Sequence, residues 1–431
     1  MKNVLIITHW FPPMTEIGGL RAYGLAKYLP SNGWNPIILT PVLPGEPDPQ
    51  LRIVQTPTID IIEQWKKRIG LNPKKSLNEQ FQMKRKKDHP SSLDRLVAIP
   101  TEIITYPDER KGWYDYAVLA GEKILKTEPI DVILSSSPPA ICNIIAKTLA
   151  EKHDVPWVAD FRDLWSLNHY SSYSPIRSFF EKNLELKTLK HATAITTVSQ
   201  PLAGKLELLH KKKIFSIRNG FDPSLINPGV KPDPLFKIIH TGRLYQGKRD
   251  PAQLLAVIDE MCEKKFISRN DIRIDFFGYP RSEFREEWLQ EEIMDNNLSD
   301  IVTLHGEVSH ETALEEQRKA QILLLLTWAN PGDEGVYTGK LFEYLAARRP
   351  ILSLGYREGG VVKELLDQTR AGEHASDKEA LKSIILKAYR EYKEFGAVQY
   401  QGIDSESLKY SHVEMAKQFA EVFESVASKK R

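Results

Sequence analysis

Two short stretches combine positive charge, glycine and a carboxylate at spacings that suit a phosphorylated ligand. In "TGKLFE", Thr338 to Glu343, a helix beginning near Thr338 puts Lys340 and Glu343 three residues apart, on one side and about 4.5 Å apart along the axis. The free N–H groups of a first helical turn add positive potential beside Lys340. In "GRLYQGKRDP", Gly242 to Pro251, Arg243 and Lys248 flank a turn that opens another helix, where they can clamp a diphosphate together with backbone N–H groups. Cations for the phosphates and Glu343 for the two ribose hydroxyls are what a nucleoside diphosphate asks for. The alternative for Lys340 and Glu343 is an exposed i, i+3 ion pair on an ordinary surface helix.

The elements that must hold these groups are legible as periodicity. Leu341, Phe342, Leu345 and Ala346 form the inner stripe of the "TGKLFE" helix, with Lys340, Glu343 and Ala347 on another. "NVLIIT" reads as a buried strand, followed by a loop with Pro12, Pro13, Gly18 and Gly19, a helix through "LRAYGLAKYLPSNG" and a second strand "NPIILTP". Further strands are expected at "DVILSSS", "PWVADFR" and "AITTVS". The pattern restarts with "KIIHTGRL", "IRIDFFG", "VTLHGEV", "ILLLLTW" and "PILSLG", again alternating with helices. Two doubly wound α/β lobes in tandem follow, facing each other across a cleft, with a hinge near "RNGFDPSLINPGVKPDP". The boundaries are set at 1–215 and 216–407, with a last helix at about 408–428 packing back on the first lobe. Residues 45–112, poor in strand signals, read as an insertion in that lobe.

A chain of 431 residues is comfortable for two domains. Its 59 Lys and Arg against 57 Asp and Glu leave a near-neutral total, which argues against a nucleic-acid partner. Cys142 and Cys262 are too few for a disulfide framework or a zinc site, and a reducing cytosol fits. No run approaches the length of a membrane span. Within 45–112, "IIEQWKKRIG" sets Ile62, Trp65 and Ile69 on one side among Lys66, Lys67 and Arg68, and "KRKK" adds charge at Lys84, Arg85, Lys86 and Lys87. Contact with an anionic membrane face is one reading, a solvated helix and loop the other.

Taken together, "FPPMTEIGGLRA", "SSSPPA", "DFRDLW", "TTVSQPL", "RNGFD", "TGRLYQGKR" and "YTGKLFEYLAARRP" resemble, over nearly the whole chain, the family 4 glycosyltransferases. The resemblance implies a GT-B fold with an acceptor-binding first lobe and a donor-binding second. It implies retaining transfer from a nucleotide-sugar to an acceptor, a saccharide or a polyprenyl-diphosphate-linked sugar in surface-polysaccharide assembly. It also implies diphosphate contacts from Arg243 and Lys248, which Thr338, Gly339 and Lys340 join, and ribose contacts from Glu343; in the first lobe Gly18 and Gly19 let backbone approach the phosphate or the acceptor closely, a plain turn being the competing reading. One departure stands out. The earlier Glu of the family's Glu-x7-Glu pair is absent, since its position holds Gly335, with Glu334 beside it, so the sugar contacts fall to Glu334 or to the backbone of Gly335, Val336 and Tyr337. Arg348 stands where members often have Gly.

In "VADFRDLW" the resemblance points to Asp160 first, then Arg162 and Asp163, beside the anomeric carbon. A structural pairing of Arg162 with Asp163 is the competing reading. His9 and His240, at strand ends, suit either a structural or a functional role. The family needs no metal, and no His and carboxylate cluster with metal spacing is evident. A nicotinamide dehydrogenase is disfavoured because no Gly-x-Gly-x-x-Gly follows the first strand. A nucleotide-sugar 2-epimerase and a non-catalytic relative of the same fold remain the rivals.

Overall fold

The computed structural model describes residues 1–14, 18–68, 70, 72, 102–168, 171, 173–278, 287–328, 335–355 and 358–428. Val4 to Ile7 are apolar without alternation, as a strand covered by helices on both faces requires. They lie in β1 (Lys2–Thr8) of an all-parallel seven-stranded sheet. Its other strands are β2 (Trp34–Pro41), β3 (Ile53–Thr56), β4 (Val132–Ser137), β5 (Trp157–Phe161), β6 (Ala194–Thr197) and β7 (Ile214–Ser216), in the order β3-β2-β1-β4-β5-β6-β7. Ile6 is flanked by Ile38 on one side and Leu134 on the other.

The second sheet is also parallel and has the order β10-β9-β8-β11-β12-β13. Its strands are β8 (Phe236–Thr241), β9 (Ile272–Phe277), β10 (Val302–Gly306), β11 (Ile322–Leu326), β12 (Ile351–Leu354) and β13 (Gly372–Ala375). The strand order reverses between β1 and β4 in one sheet and between β8 and β11 in the other. Ligands of such sheets bind beyond the carboxyl ends of those strands.

The chain divides into two units, Met1–Ile217 with Ala416–Arg431, and Arg218–Met415. In the first, Ile7, Ile133, Trp157 and Phe161 pack with Trp113 and Ile145. The helix His412–Ala427 closes that unit, with Phe423 against Trp34 at 5.1 Å between ring centroids. In the second, alternation along β8 sends Ile238 to one face and Ile239 to the other, each into its own core. Both cysteines are buried and free.

Residues 45–112, read above as an insertion poor in strands, contain the sheet's edge strand β3, which pairs with β2. Trp113 ties it down by donating to Thr56 Oγ1 at 2.7 Å. In the helix Ile61–Arg68, Lys66 is buried, Lys67 pairs with Glu63 at 2.6 Å, and Lys67 and Arg68 are exposed. Ile69 and the basic run 84–87 lie outside the described residues. No helix among the described residues is long and apolar enough to cross a membrane.

Candidate functional site

The helix Gly339–Ala347 starts at Thr338, where the sequence places it, but its environment differs from the expectation. Leu341 to Ala347 are all buried, Glu343 included, so no stripe faces solvent. Tyr344 explains the anchoring: its hydroxyl accepts from the Thr241 N–H at 3.0 Å and donates to the Leu324 carbonyl at 3.3 Å. That clamps the helix across the end of β8 and the middle of β11. Each fully buried large apolar side chain on it contributes about 1.5–3 kcal/mol, so the first turn is held in a fixed place.

Lys340 lies over Gly242, the first residue beyond β8, whose φ is +121°. A Cβ at position 242 would collide with Cε and Nζ of Lys340. Glycine is therefore required twice, by backbone conformation and by close approach. Burial, then Arg249, then Arg243 push the Lys340 pKa down to about 8, with Glu343 opposing. The N-cap Thr338 makes no side-chain capping bond, and its Oγ1 is buried without a partner. A half-buried ammonium beside an uncapped helix N-terminus is a place prepared for an anion.

Glu343 is held by two partners. Its Oε1 accepts from His310 Nε2 at 3.0 Å and its Oε2 from Gln317 Nε2 at 3.3 Å. Gln317 also donates to Thr241 Oγ1 at 3.0 Å, which links the carboxylate to the end of β8. The Glu343 hydrogen bond and charge raise the His310 pKa against the effect of burial. His240, at the end of β8, donates from Nδ1 to the Leu324 carbonyl at 2.9 Å, and its Nε2 is buried and unpartnered. Burial, Lys340 and Arg249 lower its pKa to about 3, so the ring is neutral.

Of the predicted diphosphate cations, Arg243 is an exposed neighbour of Lys340, whereas Lys248 sits with its ammonium 4.6 Å from the Trp328 ring centroid. Arg249, which the sequence reading passed over, faces the same ring at 5.6 Å and acts on both Lys340 and His240. His310, Gln317 and Trp328 were also missed. Arg249 alone had a local signal, its place next to Lys248 in the same turn; the others arrive through tertiary contacts. Tyr337 is buried against Phe342 at 5.7 Å and its hydroxyl pKa is pushed up to about 12 by burial, so its side chain belongs to the core. Gly335 is buried and Val336 half-buried. Glu334 lies outside the described residues.

In the first unit, Asp160 does not stand free at its strand end. It is fully buried; Arg21 Nε and Nη2 donate to its two oxygens at 2.8 Å each, and Thr196 Oγ1 donates to Oδ1 at 2.7 Å. Arg21 also reaches the Ile217 carbonyl and lies 4.9 Å from the Phe419 ring centroid. The first candidate for the anomeric carbon is thus a saturated ion pair fastening the helix Gly18–Tyr28 to β5 and β6. Arg162 is buried beside it and Asp163 is exposed. Asp163 and Asp160 both act on Arg162 electrostatically, while burial lowers its pKa. His9 is 3% exposed with both ring nitrogens unpartnered; burial and Arg110 bring its pKa to about 3. No cluster of three metal-ligating side chains occurs among the described residues.

Residues 18–225 match the family model for Glycosyltransferase Family 4. No curated protein matches by sequence. Among solved structures, sucrose-phosphate synthase from Thermosynechococcus elongatus superposes with TM-score 0.66 at 13% identity, covering 100% of both chains. Anabaena Alr3699/HepE, in complex with UDP and glucose, gives 0.60 at 13%, covering 99% of this chain and 100% of that one. Staphylococcus aureus TarM, crystallised with UDP, gives 0.58 at 12%, covering 98% and 100%. These likenesses establish a shared GT-B fold.

Proposed function

We propose, from the premise that residues 18–225 mark this chain as a family 4 glycosyltransferase of the GT-B fold, that its second unit binds a nucleoside diphosphate-sugar through Lys340 and Glu343. The observation that carries the reading is the half-buried, under-neutralised Lys340 at an uncapped helix N-terminus, one turn from a carboxylate held by exchangeable partners. Lys340, Arg243 and Arg249 supply charge for the diphosphate, with the Thr338–Gly339 backbone beside them. Lys248 reaches the phosphates by leaving Trp328, and the backbone of Gly335 to Tyr337 meets the sugar. Glu343 accepts from ribose hydroxyls. UDP in the HepE and TarM complexes favours a uridine donor.

In the transfer, the bond between the anomeric carbon and the diphosphate oxygen breaks, and the electron pair leaves with the diphosphate. An acceptor hydroxyl bonds to that carbon on the same face, and its proton passes to the departing phosphate oxygen. Lys340 and the helix terminus stabilise the charge that develops there, with no metal taking part. Asp160 positions Arg21 and its helix and does not touch the sugar. The acceptor is a saccharide or a lipid-linked sugar of a surface polysaccharide, met at an anionic membrane face.

Calorimetric titration with UDP tests the donor site. Lys340→Met and Glu343→Gln should each weaken UDP binding by about 1.5–3 kcal/mol, roughly ten- to a hundredfold. Neither should lower the melting temperature appreciably. Unchanged affinity in both variants would overturn the assignment.

A further inference from the structure

The helix Pro175–Leu189 is built inside out over its first three turns. Arg177, Glu181 and Glu185, spaced four apart, are buried, while Ile176, Phe179 and Phe180 are 72%, 65% and 54% exposed. A helix on the surface of a globular protein ordinarily turns its apolar stripe to the core and its charges to water. Specific bonds hold the inversion. Glu181 accepts from Arg177 Nε at 2.5 Å and from Trp165 Nε1 at 2.7 Å. Glu185 accepts from the Ser166 N–H at 2.8 Å and pairs with His210 Nε2 at 3.0 Å. The helix cannot roll to hide its phenylalanines without stranding two carboxylates and a guanidinium.

The exposed apolar side extends beyond the helix. Arg177 donates to the Glu102 carbonyl and to those of Thr105 and Pro107 at 3.2 and 2.9 Å, and lies over the Tyr106 and Tyr173 rings, 4.9 and 4.8 Å from their centroids. That fastens the turn carrying Ile103, itself 69% exposed, beside the helix, with Tyr106 against Phe180 at 6.5 Å. A continuous exposed face of this kind, held in place by buried polar bonds, marks a contact surface.

The charges around the face decide what it meets. Lys182 lies one turn past Phe179, and Lys187 and Lys190 carry the same side of the helix toward its end. All three are exposed, whereas both carboxylates of the helix are buried. Glu109, near Tyr173, is an exposed acid at the other rim. Apolar and aromatic side chains bordered by lysines suit the surface of an anionic bilayer, where the rings settle at headgroup level and the ammonium groups meet lipid phosphates. A second copy docking by the same stripe would set these lysines against one another.

We propose that Ile103, Ile176, Phe179 and Phe180, with Lys182, Lys187 and Lys190, form the surface by which the first unit sits on an anionic bilayer. The helix connects β5 to the parallel β6, so its first turn lies at the carboxyl ends of those strands, the end where such sheets bind ligands. The bilayer therefore meets the ligand-binding end of this unit. Delivery of a lipid-linked acceptor there rests on the glycosyltransferase reading; the surface itself does not.

The test is flotation of the full chain with vesicles of phosphatidylglycerol and phosphatidylcholine, and with phosphatidylcholine alone. The wild type should bind the anionic vesicles and release them in high salt. Phe179→Ser with Phe180→Ser should weaken that binding about tenfold or more, and Lys182→Gln, Lys187→Gln and Lys190→Gln together should do the same. All five residues are exposed, so melting temperature and UDP affinity should hold in both variants. Lys67→Gln with Arg68→Gln, on the helix Ile61–Arg68, should change little. Binding that survives the phenylalanine changes, that is equal on neutral vesicles, or that is lost in the Lys67 and Arg68 variant alone overturns the proposal. So does a wild-type dimer in light scattering that the phenylalanine changes dissociate, without vesicle binding. Vesicle binding through Phe179 and Phe180 by a wild type that does not bind UDP would sink the donor reading and leave this surface standing; UDP binding without vesicle binding would do the reverse.

Discussion

Asp160 and Glu343 are both carboxylates buried near the carboxyl ends of a parallel sheet, one in each unit, and their partners make them opposites. Asp160 is gripped bidentately by Arg21, which cannot lose its charge, and by Thr196. Glu343 is held by one bond each from His310 and Gln317, the first of which titrates. A saturated pair serves the scaffold, because ligand atoms would have to displace a permanent cation. A carboxylate with weaker partners can exchange them for ribose hydroxyls. Burial and position at a strand end do not separate these cases; the chemistry of the partner does.

The strongest way to break that comparison is at Asp160. Removing one member of a buried ion pair leaves the other uncompensated, and the expected cost of Asp160→Asn is about 3–5 kcal/mol of stability. Denaturant unfolding of the variant reads it directly. Wild-type stability with turnover abolished would make Asp160 a catalytic group after all and put the two carboxylates in one class.

The second probe is pH, and it acts on the Glu343 side of the comparison, through His310 and Lys340. His310 has a folded pKa raised above its ordinary 6.5 by Glu343. The pair's stabilisation is therefore fully present below that ordinary value and lost as pH rises through the folded pKa. Ribose hydroxyls compete with the protonated imidazole, so UDP affinity should climb as His310 loses its proton. It should then fall as Lys340 discharges near its lowered pKa of about 8. Stability moves the other way on that limb: a lysine whose pKa is depressed by folding costs stability at neutral pH, and the cost disappears as pH rises past 8. Glu343 faces His310 and Lys340, and Lys340 in turn faces Arg249 and Arg243. Calorimetry across the neutral range should give a bell whose acid limb spans up to about fivefold, the size of a half-exposed ion pair. In His310→Gln the acid limb should flatten and the alkaline limb persist. An unaltered acid limb would mean that Glu343 does not exchange His310 for the ribose.

The sequence was most legible in the middle of each sheet and least at its edges. β1 and β11 are unbroken apolar runs because helices cover both their faces. The strands passed over, "IVQT" of β3, "IFS" of β7 and "GEHA" of β13, all lie at sheet edges, where strands are short and mixed in character. At the site, helical spacing placed Lys340 and Glu343 on one side but could not reveal that the Gly242 turn and Gln317 cover that side. Asp160 had the right strand and the right end. Its partner Arg21, 139 positions away, has no local signature that would have withdrawn it from candidacy.

The smallest expected effect lies at the other end of the Lys340 helix and serves as its control. Arg348 closes that helix in the left-handed region, with φ 55° and ψ 48°. An L-residue with a Cβ is strained there by roughly 1 kcal/mol, which is why glycine is preferred after a helix. Arg348 offsets this with an ion pair to Asp404 at 2.9 Å, between partly exposed side chains, and a Tyr400 ring 6.0 Å away. Surface contacts of this kind are worth about 0–1 kcal/mol, so Arg348→Gly alone should shift stability by only a few tenths in either direction. Arg348→Ala loses the same contacts but keeps the strain. The difference between the two variants therefore isolates the backbone term, and glycine should be the more stable by about 1 kcal/mol. Neither should change UDP affinity, because the helix is fixed by Tyr344 and the buried Leu341, Phe342 and Leu345. A drop in UDP binding in both would mean that the first turn is positioned from the C-terminal end. Glu343's readiness to exchange partners would then depend on helix placement as well as on His310 and Gln317.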